Sequence, residues 1–348
     1  MAGTLCKPSL FRPRRSVVDG VTVVLTVKND PVGCAVTLSS LVAQMRAADE
    51  ILVVDGGSTD GTLEVIRQFR SSLPQMKVID APGANIARGR NIGTAAAAYE
   101  IIATTDSGCR ADAGWLAGLM RPFLADESTD FVAGTYRVTP LALLEEVVGG
   151  ATMRGVLDEI QPVSFNPSAR SMAYTRELWR RAGGWPEWIR YSEDTLWDHK
   201  IRLLDVNWKF APDAVVGWRP RTSVRQIARQ FYNYGTGRGH TQIESGNARY
   251  NLRNMAIVAV MLAAAVFITP WMGLPVAGLV AYFYVWAFHD KALRLARKTG
   301  RSGAYPLTIA IMWIVLVSRT AGYLVGTWQR CWDRDRYRIR TQAYLSVS

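Results

Sequence analysis

The stretch ILVVDGGSTDGT, residues 51–62, joins an apolar segment to a turn rich in glycine, serine, threonine and aspartate. Residues 51–54 have the character of a short buried strand, and apolar residues recur at helical spacing after Thr62. Glycine permits the unusual backbone angles of a tight turn, and Ser, Thr or Asp can cap the helix that follows. The stretch therefore predicts a strand, a turn and a helix over about residues 62–70, which is the unit of an α/β fold.

Asp55 is the residue of this stretch that turn formation does not explain. It directly follows the strand, at the sheet edge where open α/β folds bind ligands. A phosphate-binding loop is excluded by spacing, because the lysine of G-x-x-x-x-G-K-[ST] is missing and the glycines do not fit G-x-G-x-x-G. We therefore expect Asp55 to face a ligand that offers hydrogen-bond donors rather than a bare phosphate.

Further strands of the same kind surround this unit. Residues 21–27 (VTVVLTV), 76–81 (MKVIDA) and 101–108 (IIATTDSG) have strand character. Strands that alternate with helices predict a doubly wound, mostly parallel sheet with helices on both faces. Asp106 ends the fourth strand and so shares a sheet edge with Asp55, although capping of the next helix is the ordinary alternative for either aspartate. A carboxylate there could hold a divalent metal against a diphosphate.

Two later segments carry charge that suits the same chemistry. Glu193 and Asp194 open a helix, where the helix dipole favours acidic residues in any protein, and where a carboxylate could also act as a general base. Residues 218–240, WRPRTSVRQIARQFYNYGTGRGH, interleave arginines with aromatic residues. Such a strip is either a solvated helix face or, beside a site for diphosphate substrates, a set of phosphate clamps.

The composition changes near residue 255. Residues 255–288 and 305–328 are apolar runs of membrane scale, for which a buried hairpin in a soluble protein is the alternative. Pro270, Gly273 and Pro275 divide the first run into two short helices, which predicts a hairpin that returns to the same side. Arg319 makes a simple span of the second run costly, so a re-entrant or interfacial segment is favoured.

The net charge of +12 comes largely from basic residues that flank these apolar runs. This distribution is typical of a protein face on anionic lipid at the cytoplasmic side of a membrane, and it accompanies no recognisable nucleic-acid motif. No apolar signal core follows the basic N-terminus, so the first domain is not expected to be exported. The 4 cysteines lack paired spacing, which favours reduced thiols and argues against a zinc site.

The order of motifs over about residues 20–245 resembles the family 2 glycosyltransferases of GT-A fold. It is similar in particular to bacterial membrane-associated members that build polysaccharides on lipid carriers, including succinoglycan-type glucosyltransferases. The segments that carry the resemblance are VVLTVKND (23–30), VVDGGSTDGT (53–62), ARGRNIG (87–93), TTDSGCRADAGWL (104–116), GGWPEWIRYSEDTLW (183–197) and RQIARQFYNYGTGRG (225–239).

The resemblance implies a binding site for a nucleotide sugar. Asp55 takes the base of the nucleotide, and Arg88 or Arg90 lies near the base and ribose. Asp106 is implied to be the first aspartate of the metal-binding Asp-x-Asp motif, with Mg or Mn as the cofactor, although Gly108 stands where the second aspartate is usual. The residues implied to bind the donor are Thr26, Lys28, Asn29, Asp55, Arg88, Arg90, Asn91 and Asp106.

The resemblance also implies the catalytic residues. Asp194 matches the general base, with Glu193 as the less favoured candidate. Gln226 and Arg229 resemble the Gln-x-x-Arg-Trp element, in which this chain has Gln230 in place of tryptophan. Gln226, Arg229 and Arg238 are therefore expected to clamp the diphosphate or the acceptor.

Together these features predict a layout and an activity. We expect an N-terminal extension (1–19), a GT-A domain (20–245), membrane-associated helices (246–330) and a basic tail (331–348). The predicted enzyme is an inverting hexosyltransferase that moves a sugar from a UDP- or GDP-sugar to a polyprenyl-type lipid-linked acceptor, on the cytoplasmic side of the inner membrane. Glycosylation of a membrane lipid itself, and a non-catalytic membrane scaffold with a degenerate GT-A fold, are the alternatives.

Overall fold

The computed structural model describes residues 19–153, 166–268, 271 and 273–346. Most of the expected N-terminal extension and Pro270 therefore lie outside the described residues. The described part contains an eight-stranded sheet in the order β3-β2-β1-β4-β7-β6-β8-β5. The strands are β1 (Val21–Val27), β2 (Glu50–Asp55), β3 (Met76–Asp80), β4 (Ile101–Asp106), β5 (Cys109–Ala111), β6 (Phe131–Val138), β7 (Met172–Thr175) and β8 (Trp208–Trp218).

The first half of the sheet is parallel, as the sequence predicts. β1 lies between β2 and β4, with Val27 opposite Asp55 and Thr26 opposite Asp106. The two strand-end aspartates thus flank β1 at one edge of the sheet. In the second half the pairs β4–β7, β6–β7 and β5–β8 are antiparallel, so the sheet as a whole is mixed.

Helices cover both faces of the sheet because the strands are apolar on both faces. Val23 and Leu25 belong to one buried cluster, and Val24 and Leu52 belong to another on the opposite face. The helices before residue 246 are α1 (Pro31–Val42), α2 (Thr62–Gln68), α3 (Ile86–Ala96), α4 (Trp115–Ala125), α5 (Leu143–Thr152), α6 (Arg176–Arg181), α7 (Glu193–Leu203) and α8 (Val224–Thr241).

The expected membrane-associated region is helical and extends beyond the two apolar runs. It contains α9 (Gly246–Ile268), α10 (Gly273–Thr299) and α11 (Ala304–Trp332). Among the helices in the described ranges, α11 is the one that is long and apolar enough to cross a membrane by length and composition, with 33% of its most apolar window buried. The basic tail continues as a π-helical turn (Asp335–Ile339) and α12 (Arg340–Leu345).

Helix α8 packs against α11 through glycines on both helices. A β-carbon added at Gly322 or Gly326 of α11 would overlap the carbonyl oxygen of Tyr232 or Thr236 of α8. In the reverse direction, a β-carbon at Gly239 would lie 2.6 Å from the backbone nitrogen of Thr327. The backbones can approach this closely only because these positions lack side chains. We refer to this contact as the glycine seam.

Candidate active site

A cavity of about 730 Å³ opens at the carboxyl ends of β1, β2 and β4. Its lining includes the loop after β1, Asp106 and the start of α7, and Trp218 with α8. We call the part formed by Trp218 and α8 the α8 end. Most of the residues predicted to form the site meet here. They are Thr26, Lys28, Asn29, Arg90, Asp106, Glu193, Asp194, Gln226 and Arg229.

Asp55 is buried, and its carboxylate is engaged within its own turn. It accepts hydrogen bonds from the backbone N–H groups of Gly57 (3.1 Å) and Ser58 (2.8 Å) and from the Ser58 hydroxyl (2.5 Å). The adjacent Gly56 lines the cavity, whereas Asp55 is not among its lining residues. Contact between Asp55 and a nucleotide base stays a prediction, and the turn that Asp55 orders is what borders the cavity.

Three other predicted residues do not line the cavity. Arg88 is exposed. The amide of Asn91 donates to the carbonyl oxygen of Trp185 (2.9 Å) and accepts from the Trp185 backbone N–H (2.7 Å). Arg238 pairs with Glu244 at 3.0 Å. Asn91 therefore anchors the segment that precedes α7, and Arg238 is engaged on the surface.

Arg90 lines the cavity and is engaged by two carboxylates, while its contact with the base and ribose stays a prediction. Its buried guanidinium donates to the carboxylate of Asp106 (2.8 Å) and to that of Glu193 (2.9 Å). It also lies 4.8 Å from the centre of the Trp185 ring. Burial lowers the pKa of Arg90, but the charges of Asp106 and Glu193 outweigh it and raise the pKa above its usual value. Arg90 thus ties the end of β4 to the start of α7.

The two acids at the start of α7 lie in different environments. Glu193 is buried against Arg90, and burial raises its pKa to about 7, with the charge of Asp194 as the second cause. Asp194 is half-buried and borders the cavity, and its described partner is Thr195, whose backbone N–H donates at 2.8 Å. Asp194 is therefore the better placed of the two to meet a substrate hydroxyl.

The backbone before these acids has an unusual conformation. Ser192 has a φ of 61°, in the left-handed region that residues other than glycine rarely adopt. Strain of this kind occurs at functional sites, where the surrounding structure enforces it. Here Gly237 of α8 lies behind the loop, and a β-carbon on it would be 2.5 Å from the Ser192 hydroxyl oxygen.

The departure from Asp-x-Asp at Gly108 has a structural reason. Gly108 has a φ of 86°, a conformation in which an aspartate would be strained. Its backbone N–H donates to the hydroxyl of Thr37 at 3.1 Å. The chain needs glycine here to turn from β4 into β5, so a second aspartate cannot stand at this position without strain.

The carboxylates that line the cavity suit a divalent ion that is bound together with the phosphates of a substrate. Within the described ranges, no group of three or more His, Cys, Asp or Glu side chains is arranged to hold a metal. Asp106 nevertheless presents a carboxylate that is 32% exposed, and one of its oxygens is engaged by Arg90. Mg²⁺ is commonly held by one or two carboxylates together with substrate phosphates and water. This donor set suits such an ion.

Sequence reasoning missed Arg170, which lines the α8 end of the cavity. It precedes β7 in the segment NPSARS, residues 166–171, which has no recognisable motif. The mixture of cationic and amide side chains at this end matches the predicted clamp. Those on α8 and its approach are Arg221, Gln226, Arg229, Gln230 and Asn233.

Comparisons with known proteins find glycosyltransferases among the relatives of this chain. Residues 22–145 match the model of Glycosyl transferase family 2. The chain is 24% identical over 235 residues to Glycosyltransferase AglE of Haloferax volcanii, and the matched region covers 64% of this chain and 74% of AglE. It is 22% identical over 310 residues to Succinoglycan biosynthesis protein ExoA of Rhizobium meliloti, covering 78% of this chain and 84% of ExoA.

A solved structure shares the fold. Mannosyltransferase PcManGT from Pyrobaculum calidifontis, in complex with GDP-Man and Mn²⁺, superposes with a TM-score of 0.60 at 21% identity. The match covers 90% of this chain and 91% of that one. At this identity the likeness establishes the α/β architecture, and the chemistry has to be argued from the residues of the cavity.

Proposed function

We propose that this chain transfers a hexose from a nucleotide diphosphate sugar to a lipid-linked acceptor, with inversion at the anomeric carbon. The chain carries a family 2 glycosyltransferase domain and is a glycosyltransferase. The observation that carries the proposal is the arrangement of the cavity. The loop after β1, Asp106 at the end of β4 and Asp194 at the start of α7 all line the same cavity.

Asp194 is the general base in this proposal. The acceptor hydroxyl gives its proton to the Asp194 carboxylate while its oxygen bonds to the anomeric carbon. The bond from that carbon to the nucleoside diphosphate breaks in the same step, and the diphosphate leaves with the electron pair. A single displacement inverts the configuration, whereas a retaining double displacement needs two carboxylates about 5 Å apart across the sugar. Glu193 is held by Arg90 and does not supply the second one.

Asp106 orients the leaving group. A divalent ion, when bound, neutralises charge that develops on the diphosphate. The salt bridge to Arg90 holds the Asp106 carboxylate at the end of β4, so its position is fixed before the donor binds. The complex of PcManGT with GDP-Man and Mn²⁺ supports a nucleotide sugar and a metal as ligands of this kind of fold.

The acceptor is inferred from the relatives and from the C-terminal helices. The name of ExoA assigns that relative to succinoglycan biosynthesis, which supports a role in polysaccharide synthesis. Large apolar side chains are exposed along α9 and α10 and between them, including Phe267, Trp271 and Leu274. Apolar surface of this kind suits the cytoplasmic face of the inner membrane, where a polyprenyl-type acceptor is embedded.

The test uses the full chain in lipid nanodiscs with a panel of UDP- and GDP-sugars and Mn²⁺ or Mg²⁺. We expect one donor to be transferred to polyprenyl acceptors. Asp194→Asn should lower the transfer rate by about 10²–10⁴-fold while donor binding is retained. Asp213→Asn, which changes an exposed carboxylate on β8, is the matched control. Full activity of Asp194→Asn would contradict the base assignment, and an acid-stable lipid product would favour glycosylation of a membrane lipid.

A further inference from the structure

Arg170 presents a cation to the α8 end of the cavity. The side chain is half-buried and lines the cavity. Its guanidinium lies 5.0 Å from the centre of the Trp218 ring and donates to the hydroxyl of Ser168 at 3.1 Å. Contact with the flat ring restricts the orientation of the guanidinium plane. Arg170 is therefore held in place by neutral groups.

Arg170 differs from the arginines near it in its ion pairing. Arg90 pairs with Asp106 and Glu193, and Arg219 pairs with Glu145. Within the described ranges, no carboxylate oxygen forms an ion pair with Arg170. A guanidinium has five N–H donors, and Ser168 accepts from one of its nitrogens. Donors therefore remain for a ligand in the cavity.

A partly desolvated cation without an ion pair needs compensating charge. Burial lowers the pKa of Arg170, but the neighbouring ionisable groups outweigh it and raise the pKa, Tyr234 and Cys109 most strongly and then Asp106 and Asp194. Arg170 is thus charged and lies within electrostatic reach of both the predicted metal ligand and the predicted base. An anion bound by Arg170 would lie near the reacting hydroxyl.

The position of Arg170 along the cavity indicates which substrate it meets. Trp218 ends β8, and in the order of the sheet β8 lies on the opposite side of β4 from β1. The residues predicted to bind the nucleotide lie on β1, β2, α3 and β4 and in the loop after β1. In an in-line displacement the leaving diphosphate and the acceptor approach the anomeric carbon from opposite sides. A cation on the β8 side therefore faces the acceptor.

We propose that Arg170, with Arg229 of α8, forms a subsite for a phosphoryl group of the acceptor. This inference rests on the proposed function and makes it more specific. Guanidinium groups bind phosphate through paired N–H donors, and Arg229 lines the same end of the cavity. The phosphoryl group lies close to the attacking hydroxyl, so the acceptor is a short one, a polyprenyl diphosphate that carries a single sugar. The reaction then belongs to an early stage of assembly on the lipid carrier, after the enzyme class that transfers the first sugar phosphate to the polyprenyl phosphate.

Binding measurements test this inference without knowledge of the sugar. The probes are farnesyl diphosphate, as a soluble prenyl diphosphate, and GDP and UDP with Mn²⁺, each titrated against the full chain in nanodiscs. Arg170→Gln should weaken farnesyl diphosphate binding about tenfold or more, because a charge-assisted hydrogen bond is lost, and should leave nucleotide binding within about twofold. Arg170→Lys should lie between, since it keeps the charge but loses the paired donors. Arg121→Gln, which removes an exposed arginine of α4, is the control.

The outcomes separate the two sources of phosphate. Unchanged farnesyl diphosphate binding in Arg170→Gln and Arg229→Gln overturns the subsite. An equal loss of nucleotide binding overturns the acceptor assignment and gives Arg170 to the donor diphosphate. A wild-type chain that binds nucleotide but not farnesyl diphosphate also contradicts this inference alone, whereas a chain that binds no nucleotide contradicts the proposed function. Thermal unfolding of each variant shows whether it folds, and Arg229→Gln carries the test if Arg170→Gln does not.

Discussion

Gly237 of α8 lies so close to Tyr191 that a β-carbon on the glycine would be 2.5 Å from the Tyr191 carbonyl oxygen. Tyr191 and Ser192 directly precede the two acids of α7. On its other side α8 is packed against α11 through the glycine seam. The helix therefore fills the space between α11 and the loop before α7, with no room for side chains at Gly237, Gly239 or Gly235.

Gly237→Ala should displace the loop before α7 and, with it, Glu193 and Asp194 at the start of that helix. A displacement of about 1 Å at a catalytic group can cost about 10²-fold in rate, so we expect kcat to fall by about 10–100-fold. Donor binding should change little, because none of the residues predicted to bind the nucleotide lies on this loop or on α8. Gly278→Ala is the control, since a β-carbon at that α10 position meets nothing within 4 Å. Equal kcat values for the two variants would contradict a positioning role for Gly237.

Gly322→Ala should separate α11 from α8. Its β-carbon would overlap the Tyr232 carbonyl oxygen, which is backbone and cannot rotate away. Overpacking of this kind costs about 1–3 kcal/mol. The measurement is the free energy of unfolding in urea, compared with Gly278→Ala. A Gly322→Ala variant as stable as the wild type would show that the seam can widen without loss.

Arg90→Met should destabilise the chain strongly. The substitution leaves the Glu193 and Asp106 carboxylates without their shared cation, and removal of one partner from a buried ion pair costs about 3–5 kcal/mol. Arg67→Met, which breaks an exposed pair with Glu64, should cost about 0.5 kcal/mol or less. Urea denaturation measures both. Similar losses for the two variants would mean that Arg90 is not a structural link.

Glu193 should make stability fall as pH rises. Its pKa is raised to about 7 in the folded chain, mainly by burial, against about 4.3 in an unfolded chain. The folded state therefore binds the proton more tightly, and the stability that this contributes is complete below about pH 4 and lost as pH rises through about 7. Glu193→Gln, which cannot titrate, should lack this part of the decline, on the order of 1–3 kcal/mol between about pH 4 and pH 8. Identical pH slopes for the two proteins would contradict the raised pKa.

The sequence alone was sufficient to predict the parallel strands β1, β2 and β4 and the edge of the sheet at which the cavity opens. Continuous apolar runs of 4–8 residues followed by turn residues locate β1, β2 and β4, and parallel pairing then brings Asp55 and Asp106 to one edge. The second half of the sheet is less predictable, because β4 pairs with β7, β5 with β8 and β6 with β8, and none of these pairs joins strands that are consecutive along the chain. Local patterns indicate which segments are strands but not how distant ones pair.

The role of Arg90 could not be predicted for a similar reason. It bonds to Glu193, which lies 103 residues away along the chain, and that contact depends on how α3 and α7 meet. The glycines of YGTGRGH, residues 234–240, are by contrast visible in the sequence. Each glycine inside a helix costs about 1 kcal/mol relative to alanine. Three of them in one turn of α8 indicate close packing on more than one side.

The exposed apolar side chains at and beside the junction of α9 and α10 should mediate membrane binding. Phe267, Trp271 and Leu274 are 86%, 90% and 86% exposed. Replacing Phe267 and Leu274 with aspartate should reduce co-flotation with phosphatidylglycerol vesicles, because burial of a large apolar side chain is worth about 1.5–3 kcal/mol.

The matched control is Leu124→Asp, which changes an exposed leucine of α4 on the sheet domain. Binding through this apolar surface should persist when the salt concentration is raised, since salt screens the attraction of basic residues to anionic lipid but not apolar burial. If the double aspartate variant floats as well as Leu124→Asp, or if about 1 M salt alone releases the wild-type chain, then attachment depends on the arginines and lysines beside these helices and not on their apolar faces.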